Sequence, residues 1–189
     1  TESSMKRAIS LFTDVAALGG EFAASSELQI ALVHRSQLNV EKAIPILEGI
    51  LKTKPTGELL FSTLITKGES LYVLGEKDPT SLTAAIAVFD SIARHPEATA
   101  YWRNQSLTYK GNSLERAGKI DEALAAYEKV INAPRDKESP EYVWLYKAGL
   151  AAVRIYEEKK NWQAAISTAD TLAATDGPGA QAARERAEL

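Results

Sequence analysis

The feature that most constrains this chain is an internal echo. The segment "GKIDEALAAYEKVIN" at 118–132, slid along the sequence, finds "MKRAISLFTDVAAL", "VEKAIPILEGILKTKP", "LTAAIAVFDSIARHP" and "WQAAISTADTLAAT". Each copy sets an Ala (Ala8, Ala43, Ala85, Ala123, Ala165) before a branched aliphatic (Ile9, Ile44, Ile86, Leu124, Ile166). Four residues beyond the Ala stand Phe12, Leu47, Phe89, Tyr127 and Ala169, and seven beyond it Val15, Ile50, Ile92, Val130 and Leu172. Offsets of one, four and seven fall on one face of a helix. Recurrence at one register in every copy marks a structural unit repeated along the chain.

The stretches that precede each Ala supply a second helix. They read "ELQIALVHRSQ", "LITKGESLYVLG", "LTYKGNSLERAG" and "LAAVRIYEEKK". Three place a small residue (Ala31, Gly68, Gly111) three before a residue that can share its face (His34, Leu71, Leu114); in the fourth, Ala152, Val153 and Tyr156 fill these places. Small side chains are what a close crossing requires, because only they let two helix axes approach to ~8 Å. The unit is therefore helix, short turn, helix. Gly75 and Gly118 are expected as left-handed caps of first helices, and Asn39, Asp78 or Thr80, and Asn161 as caps of second helices. Ser139-Pro140-Glu141 reads as a helix start. No window alternates with period two, so no strand is expected.

The reading is about ten helices: a lone second helix at 1–20, helix pairs at 21–55, 57–96, 97–135 and 138–175, and the start of a further helix at 178–189. First helices at 97–117 and 139–160 are expected to be long, and Pro45 to delay or bend its helix. The chain reads as a segment cut from a longer protein. The paired words "KGESL" and "KGNSL" hold Ser70 and Ser113 two residues after a Gly, yet a nucleophile elbow needs a second Gly where Tyr72 and Glu115 stand, and a strand-to-helix turn.

Chemistry narrows the function classes further. Net charge is −3 with no basic stripe, which argues against nucleic acid. There is no Cys, which removes thiolate mechanisms. No apolar run approaches the ~20 residues that cross a bilayer, so no membrane insertion by this segment is expected. His34 and His95 lack partners at metal spacing and read as a packing and a helix-end residue. No catalytic residue, metal or cofactor is assigned, and the chain is expected not to be an enzyme. Compartment stays open between the cytoplasm and a bacterial periplasm or envelope. Of the three tryptophans, Trp162 occupies a core register and is expected to pack; Trp102 and Trp144 stand open between packing and ligand binding.

The stretch "LTYKGNSLERAGKIDEALAAYEKVINAP", through Gly111, Leu114, Gly118, Ala123, Tyr127 and Pro134, resembles the tetratricopeptide repeat. The resemblance implies an all-α, right-handed superhelical solenoid of antiparallel helix pairs, whose concave face, lined by first helices, binds a protein or peptide partner. On that register the face holds Gln29, Leu32 and Arg35, then Thr66, Glu69 and Tyr72. Tyr109, Asn112, Glu115 and Arg116 follow, then Arg154 and Glu157. Chaperone-binding members of the family clamp a terminal carboxylate with Lys and Asn; only Asn112 falls at such a place, with Thr108 and Ala151 where polar partners would stand, so no clamp is expected. The chain departs from the family in its Ala spacings of 35, 42, 38 and 42 and in Ala169, where a large residue is usual; the family period is 34. The expected function is an interaction scaffold. The alternative is a structural segment that stacks on its continuation or on another copy through open end helices, with Ile9, Phe12 and Val15 on the exposed face.

Overall fold

Every Ala-anchored segment is a helix, and so is each stretch before it. A computed structural model describes residues 2–134, 142–175 and 177–187. Among the described residues there are ten α-helices and no strand. They are α1 (Glu2–Ala17), α2 (Ala23–Ser36), α3 (Val40–Lys52), α4 (Gly57–Leu74) and α5 (Thr80–Ala93). Then come α6 (Ala100–Arg116), α7 (Ile120–Ile131), α8 (Tyr142–Glu158), α9 (Trp162–Ala173) and α10 (Ala180–Ala187).

The chain divides into two compact units, Thr1–Ile92 and Ala93–Leu189. In the first unit α1 packs on α2, α2 on α3 and α3 on α4, with α2 also touching α4. In the second, α6 packs on α7, α7 on α8, α8 on α9 and α9 on α10, with α6 touching α8. Within the first unit α3 thus sits between α2 and α4, and within the second α7 sits between α6 and α8 and α9 between α8 and α10. Ala43, Ala85, Ala123 and Ala165 are all buried. Gly68 faces Phe89, whose ring occupies the space a side chain would need. Residues directly after each Ala are more peripheral: Leu124 is buried, Ile44 and Ile86 half-buried, Ile166 exposed.

The turns explain which glycines are required. Gly118 has φ +75°, the expected left-handed cap. Gly75 does not: its φ is −58°, and its need is steric, because a Cβ there would lie 2.6 Å from Leu82 Cδ2. The left-handed position ahead of α3 and α9 is taken by Leu38 (φ 59°) and Lys160 (φ 56°). Leu38, Gly118 and Lys160 each directly precede the N-cap residue of a second helix. Asn161 caps α9 by accepting from the Ala164 N–H at 3.3 Å. Asp78 opens α5, accepting from the Thr80 N–H at 3.0 Å and the Ser81 hydroxyl at 2.9 Å. Asn39 makes no such bond; its amide donates to Gln37 instead.

Three expectations on helix extent need restating. α3 begins at Val40, five residues ahead of the exposed Pro45, and runs on through it, so the proline does not delay the helix start. α6 begins at Ala100 rather than 97, because Thr99 accepts from the Trp102 N–H as an N-cap; its 17 residues span ~25 Å. α8 ends at Glu158, ahead of a turn through Lys159 and Lys160, and Ser139-Pro140-Glu141 lies outside the described residues. The Ser70 and Ser113 hydroxyls donate to the carbonyls one turn back, Thr66 O and Tyr109 O, each at 2.8 Å. Both side chains are buried within helices, which settles the twin words as structural.

Candidate functional site

The first-helix positions that the resemblance assigns to a groove are described within each unit. In the first unit, the Arg35 guanidinium on α2 meets the Glu69 carboxylate on α4 at 3.0 Å. Thr66 is buried, and its hydroxyl donates to Ser62 O at 2.7 Å. Tyr72, one turn after Gly68, is half-buried, as is Leu32, and Gln29 is exposed.

In the second unit, Arg154 on α8 is held at 2.6 Å by Glu115 on α6 and at 2.8 Å by Glu158 one turn on. Bonds to Glu158 and then Glu115 raise the Arg154 pKa. The Tyr127 hydroxyl, coming from α7, lies 2.7 Å from Asn112 Oδ1 and 3.3 Å from Glu115 Oε2, so a core ring reaches through to this face. Glu157 meets Arg186 on α10, with Nε to Oε1 at 2.8 Å, and this bond holds its carboxyl below the usual range. Arg116 is half-buried in the last turn of α6.

These pairs share a geometry. Counted from the crossing residues Ala31, Gly68, Gly111 and Val153, Arg35 and Glu115 stand four residues on, while Glu69 and Arg154 stand one residue on. Each rung joins the later position of one first helix to the earlier position of the next, once as Arg to Glu and once as Glu to Arg. Glu157, also four on, extends the series to α10. Of the charges at the expected groove positions, Arg35 and Glu69 pair with each other, as do Glu115 and Arg154, while Glu157 pairs with Arg186. Asn112, the lone clamp-like residue, already accepts from Tyr127.

An aromatic group on α6 and α8 was not foreseen as a unit. Trp144 is buried, with Tyr109 edge-on at 5.4 Å and Tyr101 at 6.2 Å. Trp102 meets Tyr101 edge-on at 5.1 Å, and Lys147 Nζ lies 4.5 Å above the Trp144 ring. Trp144 is thus a packing residue, and the signal was available: Tyr101 and Tyr109 are eight apart, two turns along one face. Trp162 corrects the opposite expectation. It is 59 % exposed, because it is the first residue of α9 and the buried face begins at Ala165. Gln163, Ile166, Ser167, Asp170, Thr171 and Ala174 line a shallow depression of about 810 Å³ on α9.

His34 is half-buried, and desolvation, with the Lys42 charge second, lowers its pKa. His95 sits in the turn after α5, its Nδ1 accepting from the Glu97 N–H at 3.2 Å. Among the described residues, no group of three or more His, Cys, Asp or Glu could hold a metal ion. No helix among them is long and apolar enough to cross a membrane.

Residues 105–134, covering most of α6 and all of α7, match the family model of the tetratricopeptide repeat. That match and the ten consecutive helices among the described residues fit a tetratricopeptide-like repeat protein. No curated protein matches the chain.

Proposed function

We propose that this chain is a protein-interaction scaffold, without catalysis of its own, that binds a peptide or helix of a partner along the first helices within a unit, with Tyr72 the anchor in the first unit and Tyr109 in the second. The observation that carries the reading is the state of the charges on that face. Arg35, Glu69, Glu115, Arg154 and Glu157 are each engaged with a neighbouring helix. Pairing of this kind uses the charges to align helices, and leaves ring surface as the main source of binding energy. Tyr72 and Tyr109 are half-buried and offer such surface, with a hydroxyl that can remain hydrogen-bonded when the ring is covered. The partner segment is then read by apolar anchors set among charges, rather than by a terminal carboxylate or a polyanion.

The test is selection from a displayed peptide library on the immobilised chain, then titration of the selected sequences. Tyr72→Ala and Tyr109→Ala should each weaken binding by ~2 kcal/mol or more if they are anchors. Failure to enrich any peptide, or enriched peptides indifferent to both substitutions, overturns the proposal. The alternative, assembly of copies through end helices, is supported by the exposure of Leu11 and Val15 on α1. Sedimentation over a dilution series separates the two.

A further inference from the structure

Two buried polar atoms in the second unit have no hydrogen-bond partner in the protein: Gln105 Oε1 on α6 and Trp144 Nε1 on α8. Their residues are 8 % and 4 % exposed. Buried polar atoms are paired in the great majority of cases, because losing water without gaining a hydrogen bond is costly. Two orphans on touching helices call for a reason.

They belong to one place. Tyr101, Gln105 and Tyr109 are spaced four apart, which stacks them on one face of α6. Both tyrosine rings meet Trp144 edge-on, so Gln105 stands between two residues that touch the same indole. Yet the amide oxygen and the indole N–H do not bond each other. The Trp144 ring packs, and its N–H is left over.

The chemistry of the pair narrows what it can take. The indole N–H only donates, and the Gln105 oxygen only accepts. A carboxylate can accept from Trp144 but has no proton for Gln105. An ammonium has the reverse defect, and the exposed Lys147, whose Nζ lies 4.5 Å above the indole ring, repels a second cation. A main-chain peptide group has both functions, but on opposite sides of a trans bond. A primary carboxamide carries donor and acceptor side by side at one end, and its flat faces suit aromatic walls. The way in lies past Tyr101, which is 38 % exposed, and past Lys147.

We infer that Gln105 and Trp144 recognise a primary carboxamide, the side chain of an Asn or Gln presented by a partner segment. The inference rests on the reading of these first helices as a peptide-binding face. To the Tyr109 anchor it adds the polar pair that selects the neighbouring residue.

The probe is propionamide, titrated into isotope-labelled protein while the indole N–H resonances are followed by NMR; Trp144→Phe identifies the Trp144 signal. That signal should shift saturably at concentrations up to ~100 mM, as suits a ligand of so few atoms. The exposed Trp162 signal should stay in place. Propionate and N,N-dimethylpropionamide have no N–H to give, and each should bind weaker by about tenfold or more. Gln105→Met keeps the side-chain length without the carbonyl and should weaken propionamide similarly. The two control compounds test the same bond in the parent protein, should that variant fail to fold. No saturable shift, a shift shared by Trp162, or equal binding of all three compounds overturns the inference. No shift together with a magnetisation transfer from water to the Trp144 N–H overturns it in favour of an ordered water. Selected peptides that depend on Tyr109 yet bind equally well with Gln or Glu remove the carboxamide preference and leave the scaffold reading standing. Propionamide binding with no peptide enriched supports the site and removes the scaffold reading.

Discussion

The Tyr127 ring lies so close to Gly111 that a Cβ added to the glycine would come within 2.3 Å of Tyr127 Cε1. The same two register positions in the last helix pair are Val153 and Ala169, and these two belong to one buried cluster. Large and small have changed places. Interiors are packed to crystal-like density, so the volume removed from one helix at a crossing must be restored by the other. Ala31 with Leu47 is an intermediate version, again within one cluster. Ala169, a departure from the family when viewed alone, is half of a compensated pair.

The first prediction follows from that pairing. Gly111→Ala gains helix propensity worth up to ~1 kcal/mol, but must push the buried Tyr127 ring aside. Its net effect should be destabilising, by ~1–3 kcal/mol if overpacking dominates. Tyr127→Ala should cost ~3–5 kcal/mol as a cavity. In the double variant the new methyl enters space that the ring has left, so the losses should fall short of additivity by ~1 kcal/mol or more. Urea unfolding of the four proteins measures this, and strict additivity would refute the volume exchange.

Ala123 gives a simpler test of the crossing itself. It is fully buried between α7 and its neighbours. Ala123→Leu should cost ~1–3 kcal/mol through overpacking, while Ala125→Leu, at an exposed position of the same helix, should be close to neutral. Equal stability of the two variants would show that Ala123 does not set an interhelix distance.

Much of this architecture is legible in the residues, and the reason is steric. A crossing tolerates only small side chains, so Ala43, Ala85, Ala123 and Ala165 mark their helices wherever the turns vary in length. What was not legible depends on direction rather than on residue type. Gly75 and Gly118 look alike as letters, yet one answers to the Leu82 side chain and the other to a positive φ. Trp162 has core-like chemistry, but its place at the first residue of α9 turns it outward. The Arg and Glu of the groove positions are plain in the sequence; their mutual pairing depends on which side chain reaches the next repeat, and repeats of unequal length hide that offset.

Alkaline pH provides a third prediction. Tyr156 donates to Glu128 Oε1 at 2.5 Å, and its pKa is pushed up to about 12, chiefly by burial, with the bond to Glu128 and the carboxylate charge adding to it. An unfolded tyrosine ionises near ~10. Above that value the unfolded chain gives up a proton that the folded chain retains, so the folded state loses ground. The contribution of Tyr156 is complete below pH ~10 and disappears as pH rises through the folded value. Tyr156→Phe should flatten the decline in unfolding free energy over this window relative to the parent, measured by guanidinium unfolding at several alkaline pH values. Parallel slopes would show that Tyr156 ionises alike in both states.

The last prediction concerns the rungs between first helices. Arg35 and Glu69 are 3.0 Å apart and part-shielded, with 32 % and 20 % of their side chains exposed. Arg35→Glu or Glu69→Arg alone sets like charges against each other in that shielded space, and each should destabilise the first unit. The exchanged pair Arg35→Glu with Glu69→Arg restores opposite signs, and the chain already uses both polarities, since the Glu115–Arg154 rung runs the other way. A double-mutant cycle should return a coupling of ~0.5–1 kcal/mol, at the upper end for partly exposed pairs and reduced by salt. The guanidinium fork and the carboxylate differ in reach, so recovery should be large but incomplete. If Arg35 instead served a ligand and merely rested near Glu69, each single variant would be as stable as the parent and the coupling would vanish. Loss of peptide binding in a variant of unchanged stability would then assign the charge to recognition, and the alignment role argued for it would fail.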